Sequence, residues 1–393
     1  MKFAVFLPNW IGDAVMATPV LRAVRTEFPD AEVVAIHRPV VGDVLDGTFL
    51  VDRRLVWNPK GNDPSQRGWR FAAALRRERF DAALLLPNSL RSAWMAWLSG
   101  AKRRIGFDRD GRGPLLTDRV EPKPKDEPHP VIDEYLRLAE RLGCRELSRT
   151  MELATLPADE IRLEQFLLEL KPEAQAKGTP RVPSLALQAL MKRYVCLNPG
   201  GAFGAAKHWP SEHFAELARR IAVEFHRNVL VLCGPAEREI ARRIVARAKH
   251  PSVFSLADVP PSIGLSKAAV KYSELLVTTD SGPRHFAPPF DVPVVTLFGP
   301  THMAWSETFY GKATHLQVQV ECGPCQQRVC PLQHHRCMTE LSVDRVFAAA
   351  ARWLTAACGL AVRESAKPQA GSAHRVLTHH SKRHPSLTRS ESR

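Results

Sequence analysis

The sequence is poor in several things, and each shortage removes a class of protein. No stretch offers the roughly 18 uncharged apolar residues that a membrane-spanning helix needs. The best candidate, Val346 to Val362, is mostly alanine and is broken by Arg352. The 22 glycines and 31 prolines follow no period, which excludes collagen-like and solenoid folds. Eight cysteines in 393 residues are too few for a disulfide scaffold. The start, MKFAVFLPNWIGDAV, is not expected to be a signal peptide: Pro8 and Asp13 interrupt the apolar stretch, and no small-residue cleavage site follows. A cytoplasmic protein is the expectation.

Acidic residues are also in deficit. The net charge is +14 and the pI is near 9.7. Seven Lys/Arg against two Asp/Glu fall between Arg363 and Arg393. The rest of the excess belongs to the body of the chain, and it suits a nucleic acid, an anionic lipid or a phosphorylated substrate. The 45% hydrophobic content excludes a wholly disordered chain, and the length argues for two domains.

Apolar periodicity predicts a repeated β–α pattern. Lys2 to Leu7 reads as a strand, Asp13 to about Glu27 as a helix and Glu32 to His37 as a second strand. Helices are expected over Phe71–Arg79, Ser89–Leu98 and Val131–Leu142, with a strand over Asp81–Leu86 and a long loop from Gly106 to Pro130. A segment rich in proline and charge, Lys171 to Pro183, reads as a linker. A second series then begins. Strands are expected at Tyr194–Leu197, Asn228–Cys233, Leu275–Thr279 and Val292–Phe298, and helices at Glu212–Phe225, Ala236–Lys249 and Val343–Ala357. The class is α/β with two parallel sheets. The expected division is 1–175, a linker 176–192, a second domain 193–360, and a basic tail 361–393 that lacks the apolar content for a core. A weak hold of that tail on an anionic membrane is the alternative to disorder.

In parallel α/β sheets ligands bind beyond the carboxyl ends of the strands. Asn9-Trp10-Ile11-Gly12-Asp13 follows the first strand. Asp13 is either a helix N-cap or a carboxylate placed to take a proton from a hydroxyl, and Trp10 is either core or cleft wall. Asn198 to Gly204 is a Gly-rich loop that lacks the Lys-Ser/Thr of a P-loop and is not GxGxxG. The main chain around Gly200 and Gly201 suits a phosphate, and Lys207 suits a departing diphosphate or is simply a surface lysine. Asp280-Ser281-Gly282-Pro283-Arg284-His285 reads as a capped helix start or an anion site. There Asp280 suits sugar hydroxyls and His285 a phosphate oxygen. Glu237 is either a first-turn acid or a ligand for ribose hydroxyls. Cys322-x2-Cys325-x4-Cys330-x6-Cys337, with His334 and His335 inside, fits a structural zinc site, disulfide or redox pairs, or free thiols.

These motifs together resemble the ADP-heptose:lipopolysaccharide heptosyltransferases of glycosyltransferase family 9, the type II enzymes in particular. The resemblance runs from Phe3 to about Trp353. It is carried by LPNWIGDAVMATPVLRAVR (7–25), LLLPNSLRSA (84–93), RRIGF (103–107), LNPGGAFGAAKHWP (197–210), CGPAERE (233–239) and TTDSGPRHFA (278–287). It implies a GT-B fold, two Rossmann-like domains facing across a cleft. It also implies an inverting, metal-independent transferase that needs no cofactor. The donor would be ADP-heptose and the acceptor a lipid A–Kdo–heptose type core, met at the inner face of the cytoplasmic membrane, with no specific nucleic acid. By this likeness Asp13 matches the general base and Lys207 the lysine on the donor diphosphate. Gly200, Gly201, Glu237, Asp280, Ser281, Gly282 and His285 match the rest of the donor site. Trp10, Asn88, Arg91 and Arg104, with Lys102 and Arg103 beside them, are the acceptor candidates. The sequence departs from the family pattern in two places. The phosphate loop reads Gly201-Ala202-Phe203 where hydroxyl residues are common, and Pro283-Arg284 adds a cation. The competing readings are a transferase using another nucleotide sugar, a sugar epimerase of the same architecture, and a non-catalytic protein binding acidic glycolipid or nucleic acid.

Overall fold

The computed structural model describes residues 1–124, 126–170 and 194–357. The expected linker 176–192 and tail 361–393 lie outside them. Short runs of apolar residues form two six-stranded sheets, and every strand pair in both is parallel. The first sheet contains β1 (Lys2–Phe6), β2 (Glu32–His37), β3 (Arg53–Val56), β4 (Ala82–Leu85), β5 (Arg103–Phe107) and β6 (Asp118–Val120), in the order β3-β2-β1-β4-β5-β6. The second contains β7 (Tyr194–Asn198), β8 (Asn228–Val231), β9 (Val253–Ser255), β10 (Leu275–Thr279), β11 (Val294–Phe298) and β12 (Ala313–Gln317), in the order β12-β11-β10-β7-β8-β9. The two orders are equivalent. In each sheet the winding reverses between the first and fourth strands, β1/β4 and β7/β10, and a crevice opens at that point beyond the carboxyl ends.

Helices cover the sheets because parallel connections need crossovers. In the first half they are α1 (Ile11–Met16), α2 (Thr18–Glu27), α3 (Gly68–Glu78), α4 (Leu90–Leu98), α5 (Val131–Leu142) and α6 (Pro157–Glu169). In the second they are α7 (Ser211–Glu224), α8 (Arg238–Ala248), α9 (Ile263–Lys271), the short α10 (Arg336–Thr339) and α11 (Val343–Ala357). Helices α3 and α4 bury Phe71, Leu75, Met95 and Ala96 against Phe6, Ile36 and Leu85, a core layer of its own on one face of the first sheet. No described helix is long and apolar enough to cross a membrane.

The single helix expected from Asp13 to Glu27 is two helices meeting at Ala17. Pro19 has no N–H to give the carbonyl four residues back. That carbonyl, Val15 O, accepts the Thr18 hydroxyl at 2.7 Å instead. The expected loop from Gly106 to Pro130 holds the end of β5 and the short strand β6. The turn after Asp280 is a 3-10 helix over Gly282–Phe286 rather than the start of an α-helix, since Pro288 and Pro289 remove the donors an α-helix would need.

The halves are locked together by more than the covalent chain. Helix α6, within the expected first domain, packs on α9, and Glu160 accepts Lys271 Nζ at 2.6 Å and Tyr272 Oη at 2.8 Å. Lys267 of α9 is fully buried and donates to the carbonyls of Asp43, Val44 and Asp46 in the other half. Burial pushes its pKa down to about 8, against the pull of Asp46, Asp159 and Asp43.

Candidate active site

The two switch points face one another across a cavity of about 930 Å³, large enough for a nucleotide sugar. Its walls come from the loops after β1, β7, β8 and β10 and from the segment after β11. The halves nearly touch at one place. A side chain at Gly12 would lie 3.1 Å from Gly282 Cα and 2.8 Å from His285 Cδ2, so the approach depends on glycine on both sides.

Asp13 is in the first turn of α1, not at its N-cap, which is Trp10. The capping alternative therefore does not apply. The carboxylate lines the cavity and accepts no hydrogen bond from the described residues. Burial raises its pKa to about 6; Asp280 adds to the rise and Lys207 opposes it. A carboxyl in that range is ionised near neutral pH yet basic enough to accept a proton.

Asp280, at the end of β10, has the opposite surroundings. Lys207 Nζ donates to its Oδ2 at 2.6 Å and to its main-chain carbonyl at 2.8 Å. Thr301 donates to Oδ2 at 2.6 Å, Ser306 to Oδ1 at 3.2 Å, and Arg284 approaches Oδ1 at 3.5 Å. Burial alone would raise its pKa, but Lys207, Arg284 and these hydrogen bonds reverse that and hold the carboxyl well below the usual range. The likeness assigns Lys207 to a diphosphate and Asp280 to a sugar; here they are bonded to each other. An ammonium has three protons, and two of those on Lys207 are used, so one remains for a ligand.

Glu237 folds back on its own loop, accepting Gly234 N–H at 2.7 Å. A side chain at Gly200 would overlap its carboxyl carbon at 2.1 Å, so the Gly-rich loop and Glu237 form one surface that only glycine permits. Gly201 packs against Ser281, Thr279 and Lys207. Asn198 ties the loop to the next one by donating to Ser281 Oγ at 2.8 Å and Thr278 Oγ1 at 2.9 Å. His285 is buried, and burial followed by the Arg284 charge lowers its pKa far enough to keep the ring neutral.

The acceptor candidates separate. Trp10 lines the cavity and is 45% exposed. Asn88, Arg91 and Arg104 do not line it. Asn88 accepts from Arg112, a fully buried guanidinium that also donates to Phe107 O and Pro87 O. Arg91 is exposed at the start of α4. Arg104 is at the amino end of β5 and braces the chain by donating to Leu115 O and Ala101 O. Its neighbours Lys102 and Arg103 pair with Asp81 and Asp118. Arg103 and Arg104 open the motif RRIGF, but the start of a parallel strand is the end remote from the crevice.

The four late cysteines are free, and with His334 they border one small cavity of about 30 Å³. Cys322 is exposed, with its sulfur 3.8 Å from His334 Nε2, while Cys337 is tucked beside Gly299. Burial, then the other three thiols, pushes Cys337 up to about 11. Among the described residues no group of three or more His, Cys, Asp or Glu is arranged to hold a metal ion.

Several site residues escaped the sequence reading. Thr301, Ser306 and Trp305 arrive from the segment after β11, and Trp305 meets His129 of the first half with ring centroids 4.8 Å apart. Arg328 lies between two aromatic rings, 5.5 Å from Phe203 and 5.8 Å from Trp10, and so spans the halves. It lies inside the cysteine segment, where the spacing of thiols was the only sequence signal.

Comparison with known proteins agrees with this geometry. The profile of glycosyltransferase family 9, the heptosyltransferases, matches residues 68–336. A Campylobacter jejuni lipooligosaccharide heptosyltransferase 2 is 25% identical over 88% of this chain and 97% of its own. The E. coli ADP-heptose LPS heptosyltransferase II superposes with a TM-score of 0.71 at 20% identity, covering 91% of this chain and 99% of that one. E. coli heptosyltransferase WaaC with ADP-2-deoxy-2-fluoro heptose superposes with a TM-score of 0.64 at 15% identity, over 90% and 99%. The architecture is GT-B.

Proposed function

The chain belongs to glycosyltransferase family 9, the heptosyltransferases, and is therefore a glycosyltransferase; from that premise we propose that it moves a heptosyl group from ADP-heptose to the inner core of a lipopolysaccharide, with inversion and with no metal or other cofactor. The observation that carries the reading is that Asp13 of one half and the Lys207–Asp280 pair of the other line one cavity.

An acceptor hydroxyl attacks the anomeric carbon as the bond from that carbon to the ADP oxygen breaks. The electron pair leaves with ADP, and the hydroxyl proton passes to Asp13. Attack from one side and departure from the other is what inversion requires. Asp13 suits the first role because its carboxylate has no protein partner and its pKa is held near 6. Lys207 suits the second because its remaining proton meets charge as it develops on the diphosphate. Asp280 fixes that ammonium in place. Glu237 keeps Oε1 without a protein partner among the described residues, as a ribose acceptor would. Lys207 and Arg284 together exceed the Asp280 carboxylate by one positive charge, and Lys207 lines the cavity, which supports turnover without a metal.

The test is ADP release from ADP-heptose with and without a heptose–Kdo–lipid A fragment, run in EDTA. Acceptor-dependent release is expected in the wild type. In Asp13→Asn it is expected to fall by at least about 100-fold while ADP affinity is kept. Unchanged turnover in that variant would remove Asp13 from the mechanism. Release that ignores the acceptor would point to another reaction.

A further inference from the structure

Helix α4 is amphipathic in an unusual sense. Its inner face buries Ala93, Met95 and Ala96. Its outer face is not polar: Leu90, Trp94 and Trp97 are 51%, 50% and 46% exposed, and the two indoles are 5.2 Å apart. Beside it, α3 starts with Trp69, 75% exposed, with the Arg70 guanidinium over its ring at 5.6 Å. The two helices are neighbours, and Arg76 of α3 reaches to within 4 Å of the space beside Gly100, at the end of α4.

The charge around these indoles has one sign. Residues 67–98 carry six arginines and two acids. Both acids are engaged elsewhere, Glu78 by Lys2 and Arg53 and Asp81 by Lys102. Arg67, Arg70, Arg76, Arg77, Arg79 and Arg91 make no ion pair with any described residue. This surface also leads to the active site. Arg91 is close enough to Arg38 to repel it, and Arg38 donates to Asn9, which lines the cavity.

We propose that the outer face of α3 and α4 docks on an anionic lipid bilayer and so presents the cleft to a membrane-embedded acceptor. The proposal rests on the reading of the substrate as a lipid-linked sugar. Indoles interleaved with unpaired guanidiniums match the headgroup layer, where the ring enters the interface and the cation meets phosphate. A rigid helix pair on the surface that leads through Arg91, Arg38 and Asn9 to the cavity would set the depth at which an acceptor sugar enters.

The test is co-sedimentation of the full chain with vesicles of phosphatidylcholine alone and of phosphatidylcholine with phosphatidylglycerol. The wild type is expected to prefer the anionic vesicles. Trp94→Ser/Trp97→Ser is expected to bind them at least about tenfold more weakly. Arg70→Gln/Arg76→Gln/Arg77→Gln is expected to lose most of the preference for phosphatidylglycerol. Both variants should release ADP at the wild-type rate with a short, water-soluble acceptor fragment, which also reports that they are folded. Equal vesicle binding by wild type and the tryptophan variant would overturn the proposal and assign binding to another surface. A wild-type dimer that the tryptophan substitutions dissociate, with no vesicle binding, would overturn it in favour of contact between two copies. Failure of the wild type with the soluble fragment would instead sink the functional reading, whatever the vesicles show.

Discussion

The two halves share one strand order, and each presents a carboxylate at its switch point, yet the two carboxylates are in opposite states. Asp13 after β1 has no protein partner and a pKa raised to about 6. Asp280 after β10 is held by Lys207, Thr301, Ser306 and Arg284, and its pKa is driven far down. Both are enclosed by protein, so burial is not the difference. The difference is compensation: only the second half supplies cations and hydroxyls within reach. One topology thus yields an unpaired carboxylate with a raised pKa in one half and a fixed, ion-paired one in the other, and such a division can separate the roles of two carboxyl groups in one site.

The strongest way to break this comparison is to neutralise the anchor. Asp280→Asn removes the carboxylate bonded to the buried Lys207 and Arg284, which should cost about 3–5 kcal/mol and lower Tm markedly, read by thermal or denaturant unfolding. Asp13→Asn should do the reverse. A carboxyl whose pKa is raised on folding contributes stability below its unfolded pKa and loses it as pH rises through the folded value. The wild type should therefore lose up to about 3 kcal/mol between roughly pH 4 and 6, and the Asn variant should not. The Tm difference between them as a function of pH checks this. In the same window kcat/KM of the wild type should rise with pH to a plateau above about 6, as Asp13 gives up its proton. The smallest effect is expected for Thr301→Val. It removes one of several donors to Asp280, costs about 1–2 kcal/mol, and should leave the pH profile of kcat/KM in place because Asp13 is untouched.

The strands that periodicity found are the central ones. β1, β4, β7, β10 and β11 are buried along nearly all their length and read as continuous apolar runs. The strands it missed are at or near the edges. β3 opens with the exposed Arg53 and Arg54, β6 is Asp118-Arg119-Val120, and β12 is only partly buried. An edge strand has one neighbour and solvent on a flank, so its sequence carries little apolar signal. The site shows the same split. The loops after central strands were legible: Asn9–Asp13, Gly200–Gly201, Lys207, Asp280–Pro283 and His285 all meet at the cavity. Thr301, Ser306, Trp305 and Arg328 were not, because their type and spacing resemble ordinary loop residues until the fold brings them to Asp280 and Trp10.

The sequence by itself determined the class of fold, the repeated crossover and the loops from which chemistry comes, because apolar period and glycine placement are local properties. Only the tertiary structure decided what each charged residue does there. It joined Lys207 to Asp280, left Asp13 without a partner, turned Arg104 away from the cavity and put Arg328 between two rings. A charge is tuned by whatever lies within a few ångströms, and those neighbours come from segments up to hundreds of residues apart in the chain.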